Sequence, residues 1–454
     1  MIEHIKTTTL WFLILLSIFL TFQIWTFQPN YATLKSTEYI ANAHIGDEKK
    51  LQEVIRPKHI VINQEDLVFS PINNKAFLEQ FYEKYLGFSL ERFTLTPNLR
   101  TFNRNIKEYK IEFVFPTSIP VEALKDIFQI SSSDQFFISN IDRIIFYVVK
   151  EQEQEQVHVK LISDEAKLVV DGQTNISLSQ FKEDFNTINL ENFYEVFPYD
   201  ITHYGNGFKK TVYLPVEAHF LDSVTYLAKP ISTELFKQLL FSDPNFVKQY
   251  VQSNGEESFT DGNRMVNILH SGNVLKYINP TFGDMIERTG KHVLFSAFDF
   301  LNAHGGLTNS FYFDSKKSLG TTDEVTFRLS IDDIPVYRAN LSDVNNLFEI
   351  TLQRGVGHQI EQYVRPLFFV EEEPINITKS TKLPSGKLLI EALNARENLD
   401  PYLLTDITYG YFMIKRQSFV LFEPRWFIEY DGAWEFVHVV DDEGDSEAIN
   451  SGLE

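Results

Sequence analysis

Residues 7–27 read TTTLWFLILLSIFLTFQIWTF, an uncharged and strongly apolar run close to the N-terminus. At about 1.5 Å per residue, a helix of this length spans a hydrocarbon core of roughly 30 Å. A cleaved signal peptide needs a shorter apolar region and a small-residue cleavage site, whereas Trp25, Phe27 and Pro29 stand here. The run therefore predicts an uncleaved transmembrane helix over residues 7–28.

The charge flanking this run predicts its orientation. The N-terminal head, residues 1–6, carries Lys6 and is the only short basic flank of the apolar run. By the positive-inside tendency, we expect the head in the cytoplasm. No second apolar run approaches the length of a membrane span. The sequence thus predicts a single-pass protein of the cell membrane with the bulk of its chain extracytoplasmic.

Two faces of the predicted membrane helix are candidates for contact with a partner. Ser17 and Thr21 have the small-xxx-small spacing that lets two helices approach closely. The alternative face carries larger side chains at three- and four-residue steps, namely Trp11, Leu15, Ile18 and Phe22. A third possibility is a plain lipid-facing anchor, whose Ser and Thr hydroxyls bond back to their own helix.

Composition excludes several classes of function. The chain has 454 residues, and 41 basic against 62 acidic side chains give a net charge of −21. Such a charge repels polyanions, so we expect no nucleic-acid partner. The absence of cysteine excludes disulfides, thiolate metal sites and a Cys nucleophile.

Length and patterning predict an α+β protein with three extracytoplasmic domains and antiparallel sheets. The predicted domains cover residues 35–190, 193–288 and 293–440, and residues 441–454 form an acidic, solvated tail. The last two domains share the order strand, helix, antiparallel strands, which suggests a weak internal duplication.

Periodicity predicts the main elements within these domains. Helices are expected at 74–85, 121–128, 179–185, 230–241 and 386–395, and strands at 59–62, 109–115, 143–149, 157–162, 409–416, 419–430 and 434–440. Two turns, Asp261-Gly262 and Ser271-Gly272, are expected to join antiparallel strands. The pattern also predicts a loop at 197–208, one strand over 212–221 and one strand over 325–339.

The usual catalytic signatures are missing from the sequence. There is no phosphate-binding Gly-rich loop, no G-x-S-x-G and no H-E-x-x-H. His358 and Glu361 have metal-ligand spacing but lack a third ligand, and the Gly-Gly after His304 reads as a chain reversal. Paired carboxylates could serve a glycosidase, but so acidic a chain always offers such pairs. We therefore predict no catalytic residue, no cofactor and no metal.

Several stretches, taken in order, resemble the YycH family. The N-terminal EHIK head, the single apolar helix and the Trp25-to-Pro29 exit are similar to the start of that family. Further matches follow downstream: LLFSDPNFVKQY (239–250), FTDGNRMV (259–266), LKYINP (275–280), FDFLNAHGG (298–306), LPSGKLLIEAL (383–393), DITYGY (406–411) and EPRWFIEYDGAW (423–434). The resemblance covers nearly the whole chain and is most specific after residue 235.

The resemblance implies a non-enzymatic accessory regulator of the WalK/WalR (YycG/YycF) two-component system, which controls cell-wall metabolism. It implies a protein anchored by one helix that associates with YycI and with the sensor kinase WalK, and a third domain that is YycI-like. A second hypothesis is an extracytoplasmic sensor that binds a wall polymer or small ligand in a cleft between domains and signals its occupancy to a membrane partner. A third hypothesis, an anchored hydrolase, requires a cleft with paired, perturbed carboxylates.

Overall fold

The computed structural model describes residues 2–26, 45–64, 67–71, 75–96, 109–130, 136–151, 154–187, 193–203, 209–253, 255–280, 291–339, 347–355, 359–397 and 399–439. The chain forms two compact units, Met1–Asn42 and Ala43–Glu454. His358 and the predicted acidic tail lie outside the described residues.

The first unit contains helix α1, Ile2–Thr26, which includes most of the predicted membrane segment. Its stretch His4–Phe22 is long and apolar enough to cross a membrane, and none of it is buried. A core helix of similar composition would pack its apolar side chains against its own chain. Helix α1 is therefore a candidate membrane span.

The described part of the second unit is built from seven further helices and 25 strands. The helices are α2 (Leu51–Val54), α3 (Lys75–Leu86), α4 (Val121–Ile127), α5 (Leu178–Thr187), α6 (Thr233–Leu240), α7 (Val293–Ala303) and α8 (Gly386–Asn394). The first ten strands are β1 (His59–Gln64), β2 (Leu67–Pro71), β3 (Ser89–Leu95), β4 (Tyr109–Pro120), β5 (Gln129–Ile130), β6 (Asn140–Glu151), β7 (Gln154–Ser163), β8 (Leu168–Thr174), β9 (Phe193–His203) and β10 (Lys209–Pro215). The others are β11 (His219–Pro230), β12 (Lys248–Val251), β13 (Glu257–Thr260), β14 (Met265–Leu269), β15 (Val274–Ile278), β16 (Phe311–Leu319), β17 (Thr322–Ile331), β18 (Ile334–Ala339), β19 (Glu349–Arg354), β20 (Ile360–Pro366), β21 (Phe368–Val370), β22 (Asn376–Leu383), β23 (Leu404–Lys415), β24 (Phe419–Tyr430) and β25 (Ala433–Val437).

The strands form two sheets. The first has ten strands in the order β10-β9-β2-β1-β4-β6-β7-β8-β3-β5, and the second has 15, mainly in the order β12-β13-β14-β15-β20-β19-β17-β18-β23-β24-β11-β21. Strands β16, β22 and β25 join the second sheet beside β17, β11 and β24. Neighbours are antiparallel except for the parallel pairs β3–β5 and β18–β23. The fold is thus a mixed α+β fold dominated by antiparallel sheets.

Most predicted elements are confirmed, with ends that shift by a few residues. The two predicted turns join β13 to β14 and β14 to β15, and Gly262 and Gly272 have positive φ angles of 97° and 86°. Glycine adopts positive φ angles without steric strain, which explains why these two glycine-containing pairs correctly predict the turns.

Three expectations about strands were wrong. The strand predicted over 212–221 is two strands, because the chain leaves the first sheet at Pro215 and joins the second at His219. The loop predicted at 197–208 is largely the strand β9, which pairs with β2 and β10. The stretch 325–339 folds back on itself at Asp332-Asp333, between β17 and β18.

Strand pairing groups the second unit into two sheets. Strands β9 and β10 follow residue 190 in the chain and still belong to the first sheet, while the second sheet has strands on both sides of residue 290. The division into three domains, the duplication and the YycI-like third domain stay predictions.

Aromatic side chains of α3 build part of the core on the first sheet. Phe77, Phe81 and Tyr85 recur at four-residue steps and so share one helix face. The ring of Tyr85 lies 5.4 Å from that of Phe113 and 4.9 Å from that of Phe146, measured between centroids. These contacts bury Tyr85 completely and fix α3 against the sheet.

The two sheets meet at an aromatic cluster that we call the seam: Tyr194, His219, Tyr409 and Trp426. The His219 ring stacks on Tyr194 with 5.2 Å between centroids, and the edge-on ring of Tyr409 is also 5.2 Å away. Neither ring nitrogen of His219 has a hydrogen-bond partner among the described residues. Burial lowers the pKa of His219 to about 4, so the ring is neutral at neutral pH.

Replacing His219 by Phe tests this neutral ring. The unfolded chain protonates His219 near pH 6.5, whereas the folded chain does so only near pH 4. Stability from the neutral ring is fully present above about pH 6.5 and is lost as the pH falls towards 4. Between pH 7 and pH 5, we expect the unsubstituted chain to lose about 2 kcal/mol more unfolding free energy than His219→Phe. Urea unfolding at both pH values measures this, and equal losses would contradict a neutral His219.

Candidate functional site

The side chains that the sequence singled out as partner-binding lie on α1. Thr21 Oγ1 donates a hydrogen bond to the Ser17 carbonyl oxygen at 2.8 Å, the bond expected of a helix that satisfies its own hydroxyls. The four side chains of the alternative face are 61–65% exposed: Trp11, Leu15, Ile18 and Phe22. Both faces are therefore accessible on α1, and their role in binding a partner stays a prediction.

A second candidate site begins where the second unit begins. We call residues 45–58 the strap. They contact the segment that follows α7, and the chain then enters the first sheet as β1. The Gly46 amide donates to the Gly305 carbonyl oxygen at 2.8 Å. Asp47 and Leu307 exchange two backbone hydrogen bonds, of 3.2 and 3.1 Å. The strap is thus bound to the segment that follows α7 as a short antiparallel bridge.

Side chains complete the hydrogen bonding of the strap. Asn302 accepts from the Lys49 amide at 3.1 Å and donates to the Lys49 carbonyl oxygen at 2.9 Å. The Glu53 carboxylate accepts from the Lys50 amide at 2.6 Å, at the start of α2. These bonds satisfy several backbone polar groups of an irregular segment outside a regular sheet.

Glycines allow the two backbones to come this close. A Cβ atom on Gly46 would lie 2.2 Å from the Leu307 carbonyl oxygen, and one on Gly306 would lie 2.4 Å from that of Asp47. Gly305 and Gly306 also have positive φ angles, of 100° and 71°. The chain reversal predicted after His304 is confirmed, and it also makes room for the strap.

Arg56 joins the strap to both sheets. Its guanidinium pairs with Asp333 at 2.8 Å, donates to the Ser310 hydroxyl at 2.6 Å and lies 3.6 Å from Glu79 on α3. Asp333 lies in the turn between β17 and β18, and Ser310 directly precedes β16, so both are next to strands of the second sheet. Glu79 is on α3, which packs on the first sheet. One side chain therefore contacts three separate parts of the unit.

Lys58, at the end of the strap, makes a buried ion pair with Asp406 of β23. The Nζ–Oδ2 distance is 2.7 Å, and the side chains are 4% and 11% exposed. Burial raises the pKa of Asp406, but the charges of Lys58 and Lys210 outweigh that effect and hold it below its ordinary value. The carboxylate is therefore ionised at neutral pH, and it ties the strap to the second sheet.

An open cleft of about 1000 Å³ lies beside the strap. It is lined by strap residues, by one side of α3 and by three stretches of the second half of the chain, residues 307–312, 330–333 and 369–373. A volume of this size suits a ligand or a segment of a partner rather than a single water. The strap forms one wall of the cleft.

The turn at Asp332-Asp333 forms part of this cleft and is conformationally unusual. The two residues have positive φ angles of 49° and 65°. Two-residue hairpins of this type favour Asn-Gly, because most side chains are strained there. Tyr226 donates to Asp332 at 3.2 Å and Arg56 pairs with Asp333, so two contacts hold the carboxylates in place.

Glu112, an acid with a lowered pKa, lies in a buried ion-pair network rather than in the cleft. Burial raises the pKa of Glu112, but the charges of Lys110 and Arg143 outweigh it and bring the pKa to about 2. Arg143 also pairs with Asp164 at 3.0 Å. None of these residues lines the cleft. Their ion pairs explain the lowered pKa of Glu112 through a structural role.

Metal-binding signals are likewise weak. Among the described residues, no group of three or more His, Asp or Glu side chains could hold a metal ion. The Nδ1 atom of His304 lies 2.8 Å from the Phe300 carbonyl oxygen, and the two rings stack at 3.9 Å between centroids. His304 thus closes the end of α7 as a structural residue.

Sequence reasoning did not find the strap or the cleft. The cleft-lining carboxylates are scattered between residues 47 and 373, and no periodic pattern joins them. The one sequence feature that marks the strap contact is the pair Gly305-Gly306. This pair predicts a turn, but the sequence alone does not indicate that the strap packs against it.

Replacing Gly306 by Ala tests the backbone contact of the strap. Gly432 is a matched control, because its φ of 73° is close to the 71° of Gly306 but nothing lies within 4 Å of its Cβ position. Both substitutions carry the strain of positive φ, about 1 to 2 kcal/mol. We expect Gly306→Ala to lose about 1 to 3 kcal/mol more unfolding free energy than Gly432→Ala, because only the former clashes with Asp47. Urea unfolding measures both, and equal losses would mean that the strap does not press on this segment.

Comparisons with known proteins agree with this fold. The family model described as "YycH protein, N-terminal domain" matches residues 3–189, and "YycH protein, C-terminal domain" matches residues 209–444. A curated relative from Bacillus subtilis (strain 168), named "Two-component system WalR/WalK regulatory protein YycH", is 22% identical over 476 residues. That alignment covers 100% of this chain and 99% of the relative.

One solved structure shares this fold. The crystal structure of YycH from Bacillus subtilis superposes with a TM-score of 0.68 at 18% identity, covering 87% of this chain and 98% of that chain. The Bacillus megaterium YpeB C-terminal domain reaches a TM-score of only 0.22, which supports no conclusion. The two family models together match nearly the whole chain, and the chain belongs to the YycH family.

Proposed function

We propose that this protein is a membrane-anchored, non-enzymatic regulator that binds the WalK sensor histidine kinase together with YycI and biases the activity of the kinase. Through the WalR/WalK system it would control cell-wall metabolism. The observation that carries the proposal is the end-to-end similarity to a relative named as a WalR/WalK regulatory protein. An alignment that spans both chains leaves no large region of either without a counterpart.

In this proposal α1 is the anchor, with residues 1–6 in the cytoplasm and the unit Ala43–Glu454 outside the cell. Its uncharged length supports a membrane position, and Lys6 supports the orientation. The strap lies near the start of the second unit and lines the cleft of that unit.

The regulation requires only a difference in binding. A regulator shifts its kinase between two signalling states when it binds one state more tightly than the other. A coupling of about 1 to 3 kcal/mol changes the active fraction several-fold, and a few well-packed helix contacts supply that amount. No catalytic group is needed for such a role.

A second candidate function is a sensor that binds a ligand outside the cell and transmits its occupancy to a membrane partner. The cleft of about 1000 Å³ favours it. Nine acidic and three basic side chains line the described cleft, which makes an anionic wall polymer a poor occupant.

Co-purification in detergent tests the proposed partners. We expect the full-length chain to capture both WalK and YycI, and a chain lacking residues 1–34 to lose WalK. A chain with residues 7–27 replaced by an equally long leucine helix is the matched control, because it keeps an anchor and loses both helix faces. Capture of neither partner by the full-length chain contradicts the proposal, and retention of WalK by the truncated chain moves the contact to the second unit.

Substitution of the small face tests where α1 makes its contact. Ser17→Leu with Thr21→Leu fills the space that lets helices approach, so we expect at least about tenfold less co-purified WalK. Leu16→Phe with Leu20→Phe adds bulk on a face that carries neither candidate set and should change little. Carbonate extraction checks that both variants remain in the membrane. Unchanged association in the Leu variant eliminates the face formed by Ser17 and Thr21.

A further inference from the structure

We propose that the cleft beside the strap is a docking site for an extended, lysine- and arginine-rich segment of a partner protein. The proposal concerns residues of the second unit only. It does not depend on the helix contact of α1, so either can fail without the other.

Charge is the first support for a cationic occupant. Nine acidic and three basic side chains are found among the described residues that line the cleft. All three cations are already paired, because Arg56 pairs with Asp333, Lys58 pairs with Asp406 and Lys49 lies 3.9 Å from Asp47. The remaining carboxylates include Glu83, Glu372 and Glu373, which are exposed. The cleft thus carries excess negative charge that a cationic segment would neutralise.

The cleft also binds a guanidinium of its own chain. Arg56 inserts between Asp333 and Glu79 and donates to Ser310. These walls therefore supply the carboxylate and hydroxyl acceptors that an arginine side chain needs. An arginine from a partner would find similar acceptors along the rest of the lining.

The lining suits a chain better than a single ion. Its described residues contain no group of three acids that could converge on one metal ion. The apolar lining includes the half-buried side chains of Leu78 and Phe369, whereas the lining rings of Tyr82 and Tyr226 are only 3% and 4% exposed. Charges spread over a wide cleft, with some half-buried apolar side chains beside them, fit a segment that offers several cations and apolar stems in sequence.

Strained backbone conformations in one wall of the cleft also support a binding role. Asp332 and Asp333 both hold left-handed backbone conformations, at positions where Asn-Gly would be relaxed. Both carboxylates face the cleft region, one bonded to Tyr226 and the other to Arg56. Residues with strained backbone conformations cluster at binding sites, where the function of the side chain offsets the energetic cost of the strain.

A direct binding measurement tests the site. The probe is the fluorescent peptide acetyl-(Lys-Ala)4-amide, with acetyl-(Glu-Ala)4-amide as its charge-reversed control. The protein is the full-length chain in nanodiscs of phosphatidylcholine, a lipid without net charge that does not attract the probe. We expect fluorescence anisotropy to show saturable binding of the lysine peptide and none of the glutamate peptide.

Two variants with equal change in net charge separate the cleft from the acidic surface as a whole. The cleft variant carries Glu83→Gln, Glu372→Gln and Glu373→Gln. The control carries Glu91→Gln, Glu217→Gln and Glu397→Gln, at exposed positions outside the lining. We expect about tenfold weaker binding in the cleft variant, from three contacts of the strength usual for exposed ion pairs, and less than about twofold change in the control.

Several outcomes overturn the proposal. Equal weakening in both variants means that the peptide follows net charge alone. Absence of saturable binding to the unsubstituted chain means that there is no such site. A carbodiimide joins peptide lysines to contacting carboxylates, and cross-links located by mass spectrometry away from the cleft have the same consequence. A thermal shift with calcium chloride but not with the peptide reassigns the cleft to a divalent cation.

Discussion

The backbone pairing between the strap and the segment after α7 is the constraint on which the second unit depends. Gly46 and Asp47 hydrogen-bond to residues near position 305, and the same chain enters the first sheet at His59. Contacts between positions so far apart in sequence must offset the entropy of closing a very long loop. Backbone hydrogen bonds, the Arg56 ion pair and the Lys58 ion pair share that task. The segment that enters the unit thus also holds its two sheets together.

We expect the buried ion pair between the strap and the second sheet to contribute more to specificity than to stability. Removing Lys58 and Asp406 from water is costly, and their attraction recovers that cost only with good geometry. A hydrophobic pair of the same shape could stabilise the contact as well, but it would accept many relative positions of the sheets. The ion pair at 2.7 Å accepts few. The His219 ring, which stacks on Tyr194 and meets the edge of Tyr409, is neutral at neutral pH because burial disfavours its charged form and lowers its pKa.

Local patterns predicted the fold well where local forces decide it. The helix at α3 follows from four-residue aromatic steps, and the hairpins at Gly262 and Gly272 follow from turn residues. Prediction failed where long-range pairing decides, as at the break after Pro215, where the chain changes sheets. The turn at Asp332-Asp333 was missed because its residues are poor ones for that turn, and Arg56 and Tyr226 hold it. The family resemblance identified the chain, but the strap and the cleft are visible only in three dimensions.

The position of the cleft gives binding there a physical route to the strap. Gln52, Glu53 and Arg56 line the cleft and belong to the strap, so an occupant at this wall contacts the segment through which the chain enters the unit. Such contact changes a signalling equilibrium only if the occupant binds more tightly in one arrangement of the strap than in another. Thermodynamic linkage then requires the reverse effect. A second ligand that favours one arrangement of the strap changes the affinity of the cleft for its occupant by the same factor. Arg56 is the residue best placed for this exchange, because its carboxylate partners are the groups that a cationic segment would compete for.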